Sequence, residues 1–479
     1  MNIGVILYFL GWVLGVEGVL MLLPCAIALI FHETAGWYFV GIGLLCGVIG
    51  WTLGHKRPTN TVFYAKEGFV SVALSWIVLS LFGAMPFYLS REIPRFEDAL
   101  FEVISGFTTT GTSILPDVEA LSHCMLVWRS FTHWIGGMGV LVFLLAILPM
   151  ASGYNMHIMR AESPGPSVGK LVPRVKTTAK ILYLIYFAMT VTQMVLLFCS
   201  GMPWFDTLCI SLGTAGTGGF GVLNSSCGAY TLFQQAVITV FMILFGVNFN
   251  FYYLMLIKKP KEALQSEEVR YYFGIILVSA LLIAWNIRGQ FANIFLAFHH
   301  ALFQVGSVIT TTGFSTVDFD VWPSFAKWIL VTLMFMGACA GSTGGGLKVS
   351  RVVIAFKTAS REIQSLIHPR SIKVLKFEGK TVDQSIIKSL GAYLAGYFLV
   401  FFVSILIVSL DNMDLETNFT AIAATFNNIG PGLAKAGPTC NFAFFSPLSK
   451  FVMMFDMLAG RLELFPMLVL FSPRTWRKE

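Results

Sequence analysis

Residues 108–113 read Thr-Thr-Thr-Gly-Thr-Ser, and a close copy, Thr-Thr-Gly-Phe-Ser, follows at residues 311–315. Thr-Gly-Gly-Phe at 217–220 is a third variant, and Asn-Ile-Gly-Pro at 428–431 is the most divergent of the four. One glycine occupies the same place in each stretch, and these glycines recur with a loose period of about one hundred residues. Such self-similarity predicts a fold of four repeated units. The four glycines are Gly111, Gly219, Gly313 and Gly430.

The composition indicates a polytopic membrane protein. Of the 479 residues, 56% are hydrophobic and 12% are charged, and the mean hydropathy is +0.75. Apolar runs of about 18 residues or more recur along the chain, and each can cross a bilayer as a helix. The first run, Ile3 to Phe31, lacks a basic start and is too long for a signal-peptide core, so we expect it to be retained. The eight cysteines lie singly, which indicates neither a disulfide framework nor a zinc site.

The net charge of +7 is a topology signal. Most of the 32 lysines and arginines lie in six short segments, which the positive-inside rule assigns to the cytoplasm. We therefore expect both termini to be cytoplasmic, in a chain embedded in the lipid of the cell (inner) membrane. No segment is polar enough for the basic patch that nucleic-acid binding requires. The six segments are Lys56–Lys66, Arg160–Lys180, Lys258–Arg270, Lys348–Arg361, Arg370–Lys388 and Arg474–Lys478.

Between these basic segments the chain divides into an N-terminal helix pair, which turns at His32 and Glu33, and four blocks. Each block has a long apolar run, a short apolar run, a Gly/Thr-rich turn and a second long apolar run. The predicted units are residues 1–55, 56–160, 161–262, 263–370 and 371–479. The second long runs lie at 124–150, 229–257, 324–356 and 446–471.

The short runs are predicted to enter the membrane without crossing it. In the first, second and fourth blocks about ten to twelve residues cover at most about 18 Å as a helix, which is too little for a hydrocarbon core of about 30 Å. The run of the third block is longer, but Gly306 and the threonines after it limit the length that can be helical. The cytoplasmic flanks also require an even number of crossings in each block, so a short run must enter and leave from the outside. Because non-helical backbone at membrane depth must pack in protein or line water, four such loops are expected to meet on one axis. The short runs are 96–107, from Pro203 onward, 291–309 and 416–427.

The chemistry of the four turns points to a cation. Backbone carbonyls can replace the hydration shell of an ion without burying a formal charge. Glycine permits the backbone angles that aim carbonyls inward, and threonine adds a hydroxyl that can ligate or brace the loop. Acids at the starts of the short runs suit helix N-termini, which would lie at the outer side. The C-terminal ends of these helices, which carry the negative end of the dipole, would then point at the ion path. The acids are Glu97, Asp98, Asp206 and Glu416. The alternative is that the turns are ordinary helix breaks in a solute transporter.

The four turns resemble the filter loops of the Trk/Ktr/HKT potassium-transport superfamily. Residues 128–139 and 458–465 are also similar to segments of its bacterial Trk-type pore subunit. The resemblance implies an all-α membrane protein with four membrane-helix, pore-helix, membrane-helix repeats in pseudo-fourfold order around one pore, plus an N-terminal helix pair. It also implies a homodimer with one pore per protomer and a cytoplasmic RCK/KTN-type nucleotide-binding regulator. Potassium would be the bound ion, with no organic cofactor in this chain.

The resemblance assigns the ion-binding filter to three residues in each loop. Family members with serine in the first loop tend to admit sodium, so Gly111 favours potassium. The predicted filter residues are Thr109, Thr110, Gly111, Thr217, Gly218, Gly219, Thr311, Thr312, Gly313, Asn428, Ile429 and Gly430.

A glycine-rich segment interrupts the last long run of the third block. Four glycines within residues 341–346 disfavour a helix by about 1 kcal/mol each, which predicts a flexible loop inside the membrane. The segment is not a phosphate loop, because Leu347 separates Gly346 from Lys348. In the family this loop is a gate that the regulator moves, and the alternative is a passive kink. The predicted gating residues are Gly341, Ser342, Thr343, Gly344, Gly345, Gly346, Lys348 and Arg461.

Two arginines lie within apolar runs. Arg461 falls in the middle of the last run, where an ionisable residue is costly and functional by default. By resemblance it projects into the pore as an electrostatic barrier, and the alternative is a structural pair with Glu463 or Asp456. We expect Arg129 to be structural and paired with Glu102.

The predicted function is potassium uptake by a pore subunit that is not an enzyme, with channel-like conduction and symport both left open. The alternative is a sodium-coupled secondary transporter of a small solute. Repeats that share one orientation argue against the inverted repeats of such transporters. The adjacent His299 and His300 face different sides of a helix, so no shared metal site is expected. Residues 216–221 match Gly-x-Gly-x-x-Gly, but they lack the strand and the acid of a dinucleotide site.

Overall fold

The computed structural model describes residues 1–56, 58, 64–139, 175–370 and 374–476. Helices make up nearly all of the regular structure there. A two-stranded antiparallel hairpin joins β1 (Lys376–Phe377) to β2 (Lys380–Thr381), with Lys376 opposite Thr381. The prediction of an all-α polytopic membrane protein is confirmed.

The chain begins with a tightly packed helix pair. Helix α1 (Ile3–Leu20) continues into α2 (Leu22–Ile30), and α3 (Gly36–Gly54) returns against α1. A Cβ added at Gly11 would lie 2.6 Å from the Gly54 nitrogen, and one at Gly18 would lie 2.6 Å from the Gly43 oxygen. Small residues therefore let the two backbones approach closely, as is typical of membrane helices.

Six helices in the described part of the chain are long and apolar enough to cross a membrane. Two come from the N-terminal pair, and the other four are the first long helix of each block. These four are α4 (Ala65–Leu89), α7 (Val175–Cys199), α12 (Glu267–Ile287) and α16 (Gln384–Val408). The six spans are Ile3–Ile30, Gly36–Gly54, Ala65–Leu89, Ala179–Cys199, Glu267–Gln290 and Gln384–Asp411.

Each block then has the expected short helix, bounded within a few residues of the predicted run. Three of the four carry an acid in the first turn, and the third helix is instead capped by the Asn293 side chain, which accepts from the Leu296 amide. The short helices are α5 (Phe96–Phe107), α8 (Trp204–Gly216), α13 (Ile294–Ile309) and α17 (Leu415–Phe426).

The last run of each block is not one continuous helix. The sequence predicted an interruption in the third block alone, where α14 (Ser324–Met334) and α15 (Val349–Ile367) are separate. In the second block α9 (Leu232–Phe245) and α10 (Phe249–Leu256) meet at 91°. In the first block α6 (His123–Gly137) ends at the break, and residues 140–174 lie outside the described residues. In the fourth block α18 (Pro447–Arg461) is followed by a separate helix, α19 (Phe465–Phe471).

Contacts with distant backbone explain two of these breaks. A Cβ at Gly136 would lie 1.8 Å from the Phe107 oxygen, and one at Gly460 would lie 2.0 Å from the Phe426 oxygen. The C-terminal end of each of these two helices therefore contacts the C-terminal end of the short helix of its own block. Arg461 is thus the last residue of α18 rather than a mid-helix residue. The short helices α11 (Pro260–Leu264) and α20 (Pro473–Trp476) complete the order.

Candidate functional site

The four turns after the short helices share one backbone conformation. The first residue of each has a left-handed φ of 54° to 59°, and the glycine two positions later has a φ of 82° to 107°. The residue between them is not in the positive-φ region. The sign of φ therefore alternates along each turn, and it does so in the same way in all four. The left-handed residues are Thr109, Thr217, Thr311 and Asn428, and the glycines are Gly111, Gly219, Gly313 and Gly430.

Equivalent hydrogen bonds hold each turn to its helix. The amide of the middle residue donates to the carbonyl five residues earlier, a pattern that ends helices at a left-handed residue. The four bonds run from Thr110 to Ser105 (2.9 Å), Gly218 to Gly213 (2.9 Å), Thr312 to Ser307 (2.8 Å) and Ile429 to Ala424 (2.9 Å). Threonine hydroxyls brace two of the turns, because the side chains of Thr108 and Thr110 bond at 2.8 Å and those of Thr310 and Thr312 at 2.7 Å.

The glycines show that the four turns meet in a closed ring. A Cβ added to each glycine would approach the carbonyl of the middle residue in the next turn. The distances are 2.0 Å from Gly111 to Gly218, 1.9 Å from Gly219 to Thr312, 2.2 Å from Gly313 to Ile429 and 3.0 Å from Gly430 to Thr110. The contacts follow chain order and return from the fourth turn to the first. All twelve predicted filter residues therefore lie together in this ring.

The glycine-rich loop, residues 341–346, packs against the same turns. The Gly345 amide donates to the Thr311 hydroxyl at 2.7 Å, and a Cβ at Gly345 would lie 3.0 Å from the Asn427 oxygen. The Thr343 hydroxyl donates to the Phe245 carbonyl at 3.2 Å.

Other bonds place the remaining residues of this loop. The buried Lys348 ammonium donates to the carbonyls of Gly344 and Gly345, the latter at 3.1 Å. The Ser342 hydroxyl donates to the Cys339 carbonyl at 2.7 Å. Gly341 and Gly346 have φ of 72° and 64°, a conformation that glycine adopts at low cost.

Arg461 joins the ring to this loop. Its Nη1 donates to the Thr343 carbonyl at 2.8 Å and to the Thr109 hydroxyl at 3.2 Å. Its Nη2 donates to the carbonyls of Gly137, at 2.8 Å, and Gly136. The structure thus brings all eight predicted gating residues to one side of the ring.

The two acids considered as partners of Arg461 have other partners. Glu463 Oε2 lies 2.6 Å from Arg351 Nη2, and the guanidinium of Arg351 also stacks over Tyr393. Asp456 Oδ1 accepts from the Ser404 hydroxyl at 2.8 Å.

A family model for TrkH, described as a cation transport protein, matches residues 39–287 and 292–478. The chain belongs to the TrkH family. The Trk system potassium uptake protein TrkH of Salmonella typhimurium is 36% identical over 469 residues, which is 96% of each chain. The Trk system potassium uptake protein TrkG of Escherichia coli is 31% identical over 487 residues, which is 99% of each chain. The crystal structure of the potassium transporter TrkH from Vibrio parahaemolyticus covers 100% of both chains, with a TM-score of 0.89 and 32% identity.

These comparisons confirm the resemblance to the Trk-type pore subunit. They also confirm that the chain is not an enzyme, because its family is one of transport proteins.

The predicted pair of Arg129 and Glu102 is present in this TrkH-family chain. Arg129 Nη2 lies 2.7 Å from Glu102 Oε1, and both side chains are buried. Glu102 also accepts from the Ile114 amide at 3.0 Å, just after the first turn. The guanidinium donates to the Gly221 carbonyl at 3.3 Å and stacks 4.0 Å from the Phe220 ring centre. The pair therefore ties the first turn to the second from behind the ring.

His133, which no pattern in the sequence singled out, explains the twin glycine of the second turn. Its Nδ1 bonds with the Gly106 carbonyl at 2.7 Å, and its Nε2 accepts from the Phe220 amide at 3.2 Å. A Cβ at Gly218 would lie 2.1 Å from the ring of His133. Gly219 faces the neighbouring turn, whereas Gly218 leaves room for the imidazole. The one signal in the sequence was the stretch 128–139, in which the histidine stands.

His299 and His300 lie apart from the ring and bond different partners. His299 Nε2 is 2.9 Å from Gln235 Oε1, and His300 Nδ1 is 2.9 Å from the Thr316 hydroxyl. Within the described ranges, no group of three or more His, Cys, Asp or Glu side chains could hold a metal ion.

Proposed function

We propose that this chain takes up potassium across the cell (inner) membrane through the ring of four turns. The observation that carries the proposal is the closure of the ring, in which each turn places its glycine against a carbonyl of the next. The relatives at 36% identity are named potassium uptake proteins, which supports potassium as the ion.

The ion ligands in this proposal are backbone carbonyls of the twelve filter residues, from Thr109–Gly111, Thr217–Gly219, Thr311–Gly313 and Asn428–Gly430. Four carbonyls at one level form a cage for a large monovalent cation without a buried formal charge. The short helices end at these turns, so their negative dipole ends add to the attraction for a cation.

The glycine-rich loop and Arg461 form the gate in this proposal. The loop fills the space on one side of the ring, held by Lys348 and by the Thr311 hydroxyl. The Arg461 guanidinium, hydrogen-bonded to the Thr109 side chain, places a positive charge beside the first turn. A like charge at this level raises the energy of a passing cation. Movement of the loop would therefore be needed for conduction.

The assembly that we propose follows the positive-inside rule and the family. Both termini face the cytoplasm, and the units are residues 1–55, 56–160, 161–262, 263–370 and 371–479. Two copies form a homodimer in membrane lipid with one pore each. A cytoplasmic RCK/KTN-type nucleotide-binding subunit moves the gate from the basic inner face formed within residues 348–388, of which Lys348 itself is buried against the glycine-rich loop.

Ion flux into proteoliposomes tests the proposal. Uptake of potassium, rubidium and sodium is compared with and without a proton gradient, which also separates conduction from symport. We expect potassium and rubidium to exceed sodium, and shortening of residues 341–346 to raise the flux. Transport of a neutral solute without selectivity among cations would contradict the filter, and unchanged flux in a folded loop-shortened variant would contradict the gate.

A further inference from the structure

One buried carboxylate holds both ends of the glycine-rich loop. Glu268 lies in the first turn of α12 and is 4% exposed. Its Oε1 accepts from the Ala340 amide at 2.7 Å and from the Ser350 amide at 3.0 Å. Ala340 immediately precedes the loop, and Ser350 lies in the first turn of α15 that follows it. A single oxygen atom thus pins the entry and the exit of the loop to a different helix.

The neighbouring contacts make these two hydrogen bonds hard to replace. The Cys339 amide donates to the Gly246 carbonyl at 3.0 Å, and the Val349 amide donates to the Ala338 carbonyl at 3.2 Å. The two ends therefore lie side by side within packed backbone. Without the carboxylate, the buried Ser350 amide and the partly buried Ala340 amide would lose their acceptor, and a buried unsatisfied donor is costly. Opening of the loop ends toward water would relieve that cost.

The β1–β2 hairpin fixes the turn of α12 that carries Glu268. Glu378, at the hairpin tip, accepts at Oε1 from the Ser266 hydroxyl and from the Glu268 amide, each at 2.9 Å. Its own amide donates to Glu267 Oε2 at 3.2 Å. Lys357 on α15 adds a bond to the Glu267 carboxylate and donates to the Lys376 carbonyl at 3.0 Å.

We propose that Glu268 is a positioning residue for the gate. In this proposal the β1–β2 hairpin lies on the cytoplasmic side of the membrane and holds Glu268 in place. Displacement of the hairpin from α12 would then withdraw the carboxylate from Ala340 and Ser350 and release the loop. This inference rests on the proposed gate function. Glu268 is then the residue that keeps the loop closed, and the β1–β2 hairpin is the surface element whose movement displaces Glu268.

Cys339 reports on the loop independently of ion flux. It is fully buried and is followed directly by Ala340, so release of the loop entry should expose its thiol. Labelling with N-ethylmaleimide is followed by mass spectrometry of the peptide that contains this cysteine. The variants are Glu268→Ala, Glu268→Gln and Glu378→Ala in the full chain. The matched control is Glu362→Ala, since that glutamate is largely exposed and bonds to the adjacent Arg361.

We expect Glu268→Ala to speed labelling of Cys339 by about tenfold or more, because it removes the shared acceptor of two amide hydrogen bonds. Glu268→Gln keeps an oxygen acceptor and should have a smaller effect, and it serves if the alanine variant does not fold. The labelling rate of Cys339 in Glu378→Ala should lie between the rates in the parent protein and in Glu268→Ala, and the rate in Glu362→Ala should equal that of the parent protein. Parent-level labelling in a folded Glu268→Ala would overturn the anchor, and parent-level labelling in Glu378→Ala would overturn the role of the hairpin.

Rubidium flux through the same variants separates this inference from the proposed function. Faster flux in both Glu268→Ala and the loop-shortened variant supports the anchor and the gate together. Faster labelling with parent-level flux in both variants leaves the anchor standing and refutes the gate. Faster flux after loop shortening alone, with labelling unchanged in Glu268→Ala, refutes the anchor and leaves the gate standing.

Discussion

Replacement of the ring glycines by alanine should damage ion selectivity to different degrees. Ordinary contacts of a Cβ begin at 3.4 Å, whereas an added Cβ would lie 1.9 Å from a carbonyl oxygen at Gly219 and 2.0 Å at Gly111. The facing carbonyl must therefore retreat by about 1 Å or more, since repulsion rises steeply at such distances. The corresponding distance at Gly430 is 3.0 Å, so its neighbour must move by only a few tenths of an ångström.

Backbone strain acts on all of these variants and must be separated from the contact with the next turn. An L-residue forced to positive φ pays about 1–2 kcal/mol, and the φ of 107° at Gly430 makes its strain at least as large as that at Gly219, at 82°. Gly201 is the matched control, because its φ is 85° and nothing lies within 4 Å of an added Cβ. Gly201→Ala therefore carries the strain without the steric contact.

The assay compares rubidium and sodium uptake for Gly219→Ala, Gly430→Ala and Gly201→Ala. A contact between a charge and a hydrogen-bonding group is worth about 1.5–3 kcal/mol, so one displaced carbonyl corresponds to a loss of about tenfold to a hundredfold in discrimination. We expect this loss in Gly219→Ala, a smaller loss in Gly430→Ala and none in Gly201→Ala. Full selectivity in a folded Gly219→Ala, or equal loss in Gly219→Ala and Gly430→Ala, would refute the ring as the selective element.

Three other side chains have expected outcomes of their own. Arg461→Ala should raise rubidium uptake by about tenfold or more by removing a positive charge from the ion path; slower uptake by folded protein would contradict the barrier. Arg129→Ala should cost about 3–5 kcal/mol in thermal unfolding because Glu102 is left buried without its partner, and Arg129→Met with Glu102→Gln should recover part of this loss. Asp414 is the N-cap of α17, and hydrogen bonds from the side chain and amide of Thr417 lower its pKa below the ordinary value of 3.8. The stabilisation by this cap is therefore complete above pH 3.8 and is lost as the pH falls through the lower pKa of the folded state, so thermal unfolding of Asp414→Ala and the parent should converge at low pH.

The repeated turns could be predicted from sequence because their cause is local. Glycine at a fixed place after a short apolar run indicates a left-handed backbone, and all four glycines have positive φ. The short helices were bounded well for a similar reason, since acids in the first turn mark the start of three of them. The pairing of Arg129 with Glu102 was also predictable, because a charge inside an apolar run needs a partner nearby.

The helix breaks of the first, second and fourth blocks could not be predicted, because no local signal in the sequence marks them. Gly136 and Gly137 are unremarkable in a membrane helix, and only the Phe107 carbonyl, 1.8 Å from an added Cβ, shows why Gly136 must be glycine. The bend after Phe245 leaves Asn248 to cap α10 by accepting from the Asn250 amide at 2.9 Å, and asparagine there carries no clear signal amid apolar residues. Glu268 was missed because its partners are amides of residues 340 and 350, which no side-chain pattern records.

The divergence of the fourth turn follows from the way in which the ring closes. Three of the contacts between turns are close backbone approaches of 1.9–2.2 Å to an added Cβ, whereas the contact from Gly430 to Thr110 is 3.0 Å. Between the fourth turn and the first, where the backbones are farther apart, a side chain makes the contact. Asn428 Nδ2 donates to the Thr110 hydroxyl at 2.8 Å and to the Met457 carbonyl at 2.9 Å. Threonine, which stands at this place in the other turns, is too short to reach both acceptors and has a single hydroxyl proton. Asparagine also tolerates the left-handed φ of 56° better than most residues. Asn428 therefore makes two side-chain hydrogen bonds where the last repeat meets the first, and a threonine at this place could not make both.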